Sequence, residues 1–386
     1  MIIHNAHIIT PSGIMRWLAF ESGKITAMGD KNPPLNALDL IDGHNMTLLP
    51  GFIDLHIHGS AGHDVMDATP EALLGIARFV VRYGVTAFLP TTLTDSRART
   101  QAALENIRAH MGRIDGGASI IGAHLEGPYL NIEKCGAQNP EYIRIPHPDE
   151  ALAFLAVGIL RLVDVAPEIS ETAWLIDECV RRGITVSAAH TSASATDIAR
   201  AVERGLTHST HTYNAQSPLN HREPGVVGAV LANPAIRCEL IADGIHVHPL
   251  AMRIAWLCKK SAGLILISDA IRAAGMPEGT YQFDDRSVLL KDGAVRLLDG
   301  TLAGSALTMD RALRNFMDAT GEPLENIWQT TSLNAAKAIG VADRKGSIEI
   351  GKDADLVLLD DSGAVHITIV EGDIAFRAAN DSTTHS

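Results

Sequence analysis

The sequence predicts an α/β protein: a TIM-like (β/α)₈ barrel carrying a small β-sandwich domain built from both chain termini. Two observations carry this. Eight apolar, strand-like runs alternate with helix-like segments through the middle of the chain, and β-rich stretches punctuated by Gly, Pro and Asn occupy both ends.

The first fifty residues contain "MIIHNAHIIT", "RWLAFESGKITAMG" and "LIDGHNMTLLPG", and the end of the chain contains "KGSIEIGKDADLVLLDDSGAVHITIVEGDIAFRA". Residues 1–50 and 345–386 are therefore expected to form the sandwich, with 51–344 as the barrel; the polar tail "ANDSTTHS" is expected to fray. The eight barrel runs are "GFIDLHIH", "VTAFLPTT", "ASIIGAHLEG", "ILRLVDVAPE", "ITVSAAHT", "GLTHSTHTYN", "AIRCELIADGIHV" and "GLILISDA". Between them lie segments of helical period, such as "PEALLGIARFVVRYG", "SRARTQAALENIRAHMG", "ISETAWLIDECVRRG" and "ATDIARAVERG". Residues 276–303 break the rhythm with DG turns and read as a hairpin insertion.

At 386 residues the chain accommodates a barrel of about 250 residues plus a smaller domain. Its formal net charge of -13 argues against nucleic-acid or anionic-membrane partners, which need a basic face. Cys135, Cys179, Cys238 and Cys258 form no CxxC pair, so reduced thiols are expected. The start "MIIHNAHIITPSG" has no secretory pattern and no apolar run approaches about 18 residues, which points to the cytoplasm.

Chemistry concentrates at the strand ends. His56 and His58 close the first run, Glu126 the third, His190 the fifth, His211 the sixth and Asp269 the eighth. A lone strand-end histidine is more often a packed residue than a ligand. Six such side chains at one mouth of a barrel point instead to a metal centre, since alternate residues such as His56 and His58 share a strand face. Imidazole nitrogen and carboxylate oxygen suit zinc, with ferrous iron as the alternative. Asp269, in "LILISDAI", is the candidate proton shuttle, its structural alternative being a helix cap. His208 lies an odd three residues before His211 and reads as packed or supporting, and His63 as a loop residue.

"PGFIDLHIHG", "HLEGPYLN", "AAHTSA", "HTYNAQSPL", "HREPGVVGA", "IADGIHVHP", "ISDA", "LAGSALTM" and "SLNAAKAIGVADRKGSIEIGKDADLVLLD" together resemble the N-acetylglucosamine-6-phosphate deacetylases of the amidohydrolase superfamily, in order and over nearly the whole chain. The resemblance implies that Glu126, His190 and His211 hold the principal divalent ion, that His56 and His58 ligate a second ion or support the first, and that Asp269 is the catalytic acid/base. It assigns substrate contacts to Ala137, Gln138, Asn214, Ala215, Arg222, His246 and the Leu302–Ala303–Gly304 turn. Arg222 and His246 suit a phosphate, and Arg222 would reach in from the other subunit of a homodimer. One departure stands out: "CGAQNP" places Gln138 where the family carries a histidine, and glutamine donates a hydrogen bond but does not titrate near pH 7. The resemblance therefore implies deacetylation of N-acetylglucosamine 6-phosphate, with N-acetylgalactosamine 6-phosphate or another N-acylated amine as the alternative.

Overall fold

The computed structural model describes residues 1–31, 33 and 39–379; all but the first residue of the polar tail lies outside this range. Eight parallel strands form the barrel: Phe52–Ile57, Val85–Thr92, Ala123–Leu125, Leu160–Val165, Thr185–Ala188, His208–Ser209, Arg237–Ile241 and Leu264–Ile267. Each pairs with the next in chain order, and closure comes from the Ile57–Ala270 bridge and the His58 N–H donating to the Ala270 carbonyl. All eight runs anticipated from sequence are present. The first two strands are buried at every position, as expected for parallel strands covered by helices on one side and by barrel interior on the other.

The outer helices start where their caps dictate. Thr69 accepts from the Ala72 N–H ahead of Pro70 in helix Pro70–Val80, Ser96 accepts from the Arg99 N–H, and Ser194 and Asp197 exchange bonds at the start of Ala195–Glu203. Each cap is worth about 1 kcal/mol and fixes where the chain leaves its strand-end loop.

Both termini share one eight-stranded mixed sheet, ordered Asp373–Arg377, Val365–Val370, Leu356–Leu359, Thr47–Pro50, Ile2–Thr10, Gly13–Glu21 and Lys24–Gly29, with Leu40–Asp42 beside Ile2–Thr10. The two chain ends meet where Leu356–Leu359 runs antiparallel to Thr47–Pro50, over a separate core that includes Ile8, Leu48, Leu356 and Ile369. A single residue, Gly51, links this sheet to the first barrel strand. A Cβ there would lie 2.2 Å from the Thr86 side chain, so the close approach requires glycine. At 279–297 the expected hairpin extends to a three-stranded meander, Gly279–Phe283, Arg286–Lys291 and Ala294–Leu297. Its core residues Phe283 and Val288 pack with Leu93 and Ile271, which ties the insertion to the mouth of the barrel.

Candidate metal centre

The strand-end side chains converge. His56 and His58, alternate residues of the first strand, bring their Nε2 atoms to 3.1 Å. Glu126 lies between two groups of donors: its Oε1 is 3.2 Å from His190 Nε2 and 3.1 Å from His211 Nε2, while its Oε2 is 3.2 Å from His58 Nε2. His190 and His211 Nε2 stand 3.2 Å apart. Two three-residue clusters share this one carboxylate, His56–His58–Glu126 and Glu126–His190–His211, and all five residues are buried. Asp269 Oδ1 lies 3.5 Å from His56 Nε2 and 3.4 Å from His58 Nε2.

These spacings fit a metal. Donors about 2.0–2.1 Å from a tetrahedral ion stand about 3.3 Å from one another. The outward nitrogens support the same role. His190 Nδ1 is 2.8 Å from the Lys134 carbonyl, His58 Nδ1 is 3.2 Å from the Thr91 carbonyl and His56 Nδ1 is 3.2 Å from Glu239 Oε2. An acceptor at Nδ1 holds the proton there and leaves the Nε2 lone pair facing inward.

The backbone is bent to achieve this. His190, His211 and Asp269 have φ of 42°, 29° and 48°, a left-handed conformation that costs non-glycine residues about 1–3 kcal/mol each. Asp269 is held by its N–H donating to the His56 carbonyl and its carbonyl accepting from Ser305 N–H, each at 2.8 Å. Asp54, buried beneath, accepts from the His56 N–H and from both the N–H and hydroxyl of Ser268, and so ties the first strand to the eighth.

Charge is balanced between neighbours. Burial opposes ionisation of Glu126, yet His56, His190 and His211 hold its carboxyl well below the usual range. Burial likewise opposes charge on His58, yet Asp269 and Glu126 hold it up to about 9.

A cavity of about 320 Å³ opens above these residues. Asp269, His58, Glu126, His190 and His211 reach it from below, and Ala137, Gln138, Asn214, Ala215 and His246 line its sides. Leu302 and Gly304 line it as well, whereas Ala303 is fully buried in the insertion's core. A Cβ at Gly304 would meet Ile271 at 2.4 Å, and its φ of 54° also favours glycine. Arg222 is exposed in a loop outside the cavity lining. Gln138 is held at both ends: its Nε2–H donates to Glu126 Oε2 at 2.6 Å and its Oε1 accepts from the Thr94 N–H at 2.8 Å. His246 Nδ1 is 2.6 Å from Asp243 Oδ2.

Sequence reasoning missed Lys134 and Phe283, which also line the cavity, and Glu239. Glu239 carried a readable signal, a carboxylate inside the apolar run "CELIAD". His208 is buried against Glu239, with Nε2 3.1 Å from Oε1, and His63 packs its ring against Gly75.

A parallel barrel whose C-terminal mouth gathers four histidines and two carboxylates defines a metal-dependent hydrolase. The Amidohydrolase family model matches residues 47–375, and the chain belongs to that family. It is 39% identical to the N-acetylglucosamine-6-phosphate deacetylase of Bacillus subtilis (strain 168), over 97% of each chain. It is 38% identical to the N-acetylgalactosamine-6-phosphate deacetylase of Escherichia coli O157:H7, over 85% of this chain and 87% of the relative. The crystal structure of N-acetylglucosamine-6-phosphate deacetylase from Thermotoga maritima superposes with a TM-score of 0.88 at 34% identity, covering 98% of this chain and all of that one. Among the described residues no helix is long and apolar enough to cross a membrane.

Proposed function

We propose that this chain hydrolyses the acetamide of N-acetyl-D-glucosamine 6-phosphate to glucosamine 6-phosphate and acetate, a step of amino-sugar catabolism. The observation that carries the reading is the meeting of two histidine–carboxylate clusters and Asp269 at the floor of one cavity, in a chain similar throughout its length to such deacetylases. Glu126, His190 and His211 hold the principal ion, and His56 and His58 complete a second position with Glu126. The nitrogen-rich donor set favours zinc, with iron(II) as the alternative that metal analysis separates. A bound divalent ion supplies Lewis acidity to the acetyl carbonyl and activates water at neutral pH.

The chain's own residues do the rest. Asp269 takes the proton from the attacking water and delivers it to the departing nitrogen. Gln138 has one N–H committed to Glu126, and its second N–H is available to the acetyl oxygen. His246, oriented by Asp243, and Arg222 bind the phosphate, whose binding energy orients the amide. Asn214, Ala215 and the Leu302–Gly304 turn position the sugar.

Arg222 serves the site of a second copy of the chain in a homodimer. In support, helix Pro249–Gly263 exposes Leu250, Ile254 and Leu257 along one face, and Leu219, three residues before Arg222, is 59% exposed. Residues 51–344 constitute the catalytic barrel domain, and 1–50 with 345–386 the supporting one. A sugar-phosphate substrate and four free cysteines agree with a cytoplasmic enzyme.

Mixing tests the shared site. Arg222→Ala alone is expected to raise KM strongly, and refolding it together with Asp269→Asn is expected to restore activity, because the mixed dimer contains one complete site. No recovery on mixing would show that Arg222 does not act across subunits.

Metal binding has a proton signature. An ion at His58 Nε2 displaces the proton held there up to about pH 9, so apparent affinity rises with pH towards that value. The ion-free fold behaves oppositely: the stability contributed by this histidine is full below its ordinary value of 6.5 and is lost as pH rises through about 9. Zn²⁺ titrations at pH 7 in two buffers of different ionisation enthalpy should give different heats from proton release; identical heats would contradict the assignment.

The galacto epimer is the second reading, favoured by the relative that acts on N-acetylgalactosamine 6-phosphate at nearly the same identity. Parallel kinetics on the two epimers decides between them.

A further inference from the structure

Behind His56 lies a carboxylate that belongs to neither cluster. Glu239, in the seventh barrel strand, is fully buried. Its Oε1 is 3.1 Å from His208 Nε2 and its Oε2 is 3.2 Å from His56 Nδ1. The same Oε2 accepts from the His211 backbone N–H at 3.4 Å. One side chain thus touches the ring of a residue in one cluster and the main chain of a residue in the other.

Burying a carboxylate in a parallel strand is costly unless it is paired. Glu239 is paired on both sides, with one oxygen on His208 Nε2 and the other on His56 Nδ1. His56 Nε2 in turn lies 3.5 Å from both Glu126 Oε1 and Asp269 Oδ1. Three carboxylates, Glu239, Glu126 and Asp269, thus surround one imidazole. A carboxylate at Nδ1 is the arrangement that makes Nε2 a basic, correctly oriented donor.

We propose that Glu239 is the positioning residue of the His56–His58–Glu126 half-site, fixing the tautomer of His56 and supplying the charge that lets this half-site retain an ion beside the one at Glu126–His190–His211. The inference rests on the reading that both clusters hold metal. Glu239→Gln keeps the shape but removes the charge, and its amide presents one acceptor to two ring N–H donors, so one bond is lost.

The test is a Zn²⁺ titration of chelator-stripped native and Glu239→Gln chains, with bound metal counted after desalting. The native chain should bind two ions, and the variant should keep the tighter ion and bind the second about 10- to 100-fold more weakly. Thermal melting of both stripped proteins separates this effect from loss of fold. If Glu239→Gln does not fold, Glu239→Asp, which keeps the charge and shortens the reach, is judged by the same count. Unchanged affinity for the second ion, or a native chain that saturates at one, overturns the proposal. A chain that meets the metal criteria yet releases no acetate refutes the proposed substrate while leaving the role of Glu239 standing.

Discussion

Asp269→Asn is expected to lower kcat for acetate release by about 10²- to 10⁴-fold, the usual contribution of a positioned acid/base group. The substitution isolates chemistry from structure. Asparagine tolerates the left-handed backbone that Asp269 adopts, and the main-chain bonds to His56 and Ser305 do not involve the side chain. What is lost is the ability to take a proton and give it back, at an oxygen 3.4–3.5 Å from the inward nitrogens of His56 and His58. Metal content and KM should change far less than kcat. Single-turnover acetate release with metal analysis of the same sample checks this, and a loss under tenfold would remove Asp269 from the proton path.

Glu126→Gln is expected to bring activity to background by emptying the centre. Glu126 alone is common to both clusters, with one oxygen turned to His190 and His211 and the other to His58. A neutral amide supplies one weaker acceptor where two anionic oxygens stood, so both ions should bind more weakly by more than the 10- to 100-fold that loss of an outer partner costs. The substitution also leaves the Gln138 N–H without its carboxylate. In the ion-free fold, a carboxyl held well below its usual range contributes stability above the ordinary value and loses it as pH falls through the depressed one. The ion-free variant should therefore show a flatter acid limb in thermal melting, alongside its loss of metal. Retention of two tightly bound ions would contradict the shared-ligand arrangement.

The barrel and most of the centre were legible in the sequence for a simple physical reason. A histidine or carboxylate that ends an apolar run stands out, and in a parallel barrel all such ends face one mouth. His56 and His58 were readable as a pair because a strand alternates its faces. The same logic, applied only to strand ends, passed over Glu239, which sits within its strand. Contacts made by main-chain atoms leave no trace in side-chain identity, so the Lys134 and Thr91 carbonyls that orient His190 and His58 were invisible. The Asp54–Ser268 clamp joins residues 214 apart, a pairing set by barrel closure rather than by local pattern. Gln138 was conspicuous by type, but its bond to Glu126 needed the fold. The DG turns announced the insertion without counting its strands, since each hairpin signal marks a turn and not how many follow.

The most direct test is acetate release from N-acetylglucosamine 6-phosphate by the metal-replete chain, run beside N-acetylgalactosamine 6-phosphate and beside chelator-stripped protein. Faster turnover of the gluco substrate, lost on stripping and restored by Zn²⁺, is the expected result. No acetate from either phosphate by protein with its metal in place would contradict the deacetylase assignment.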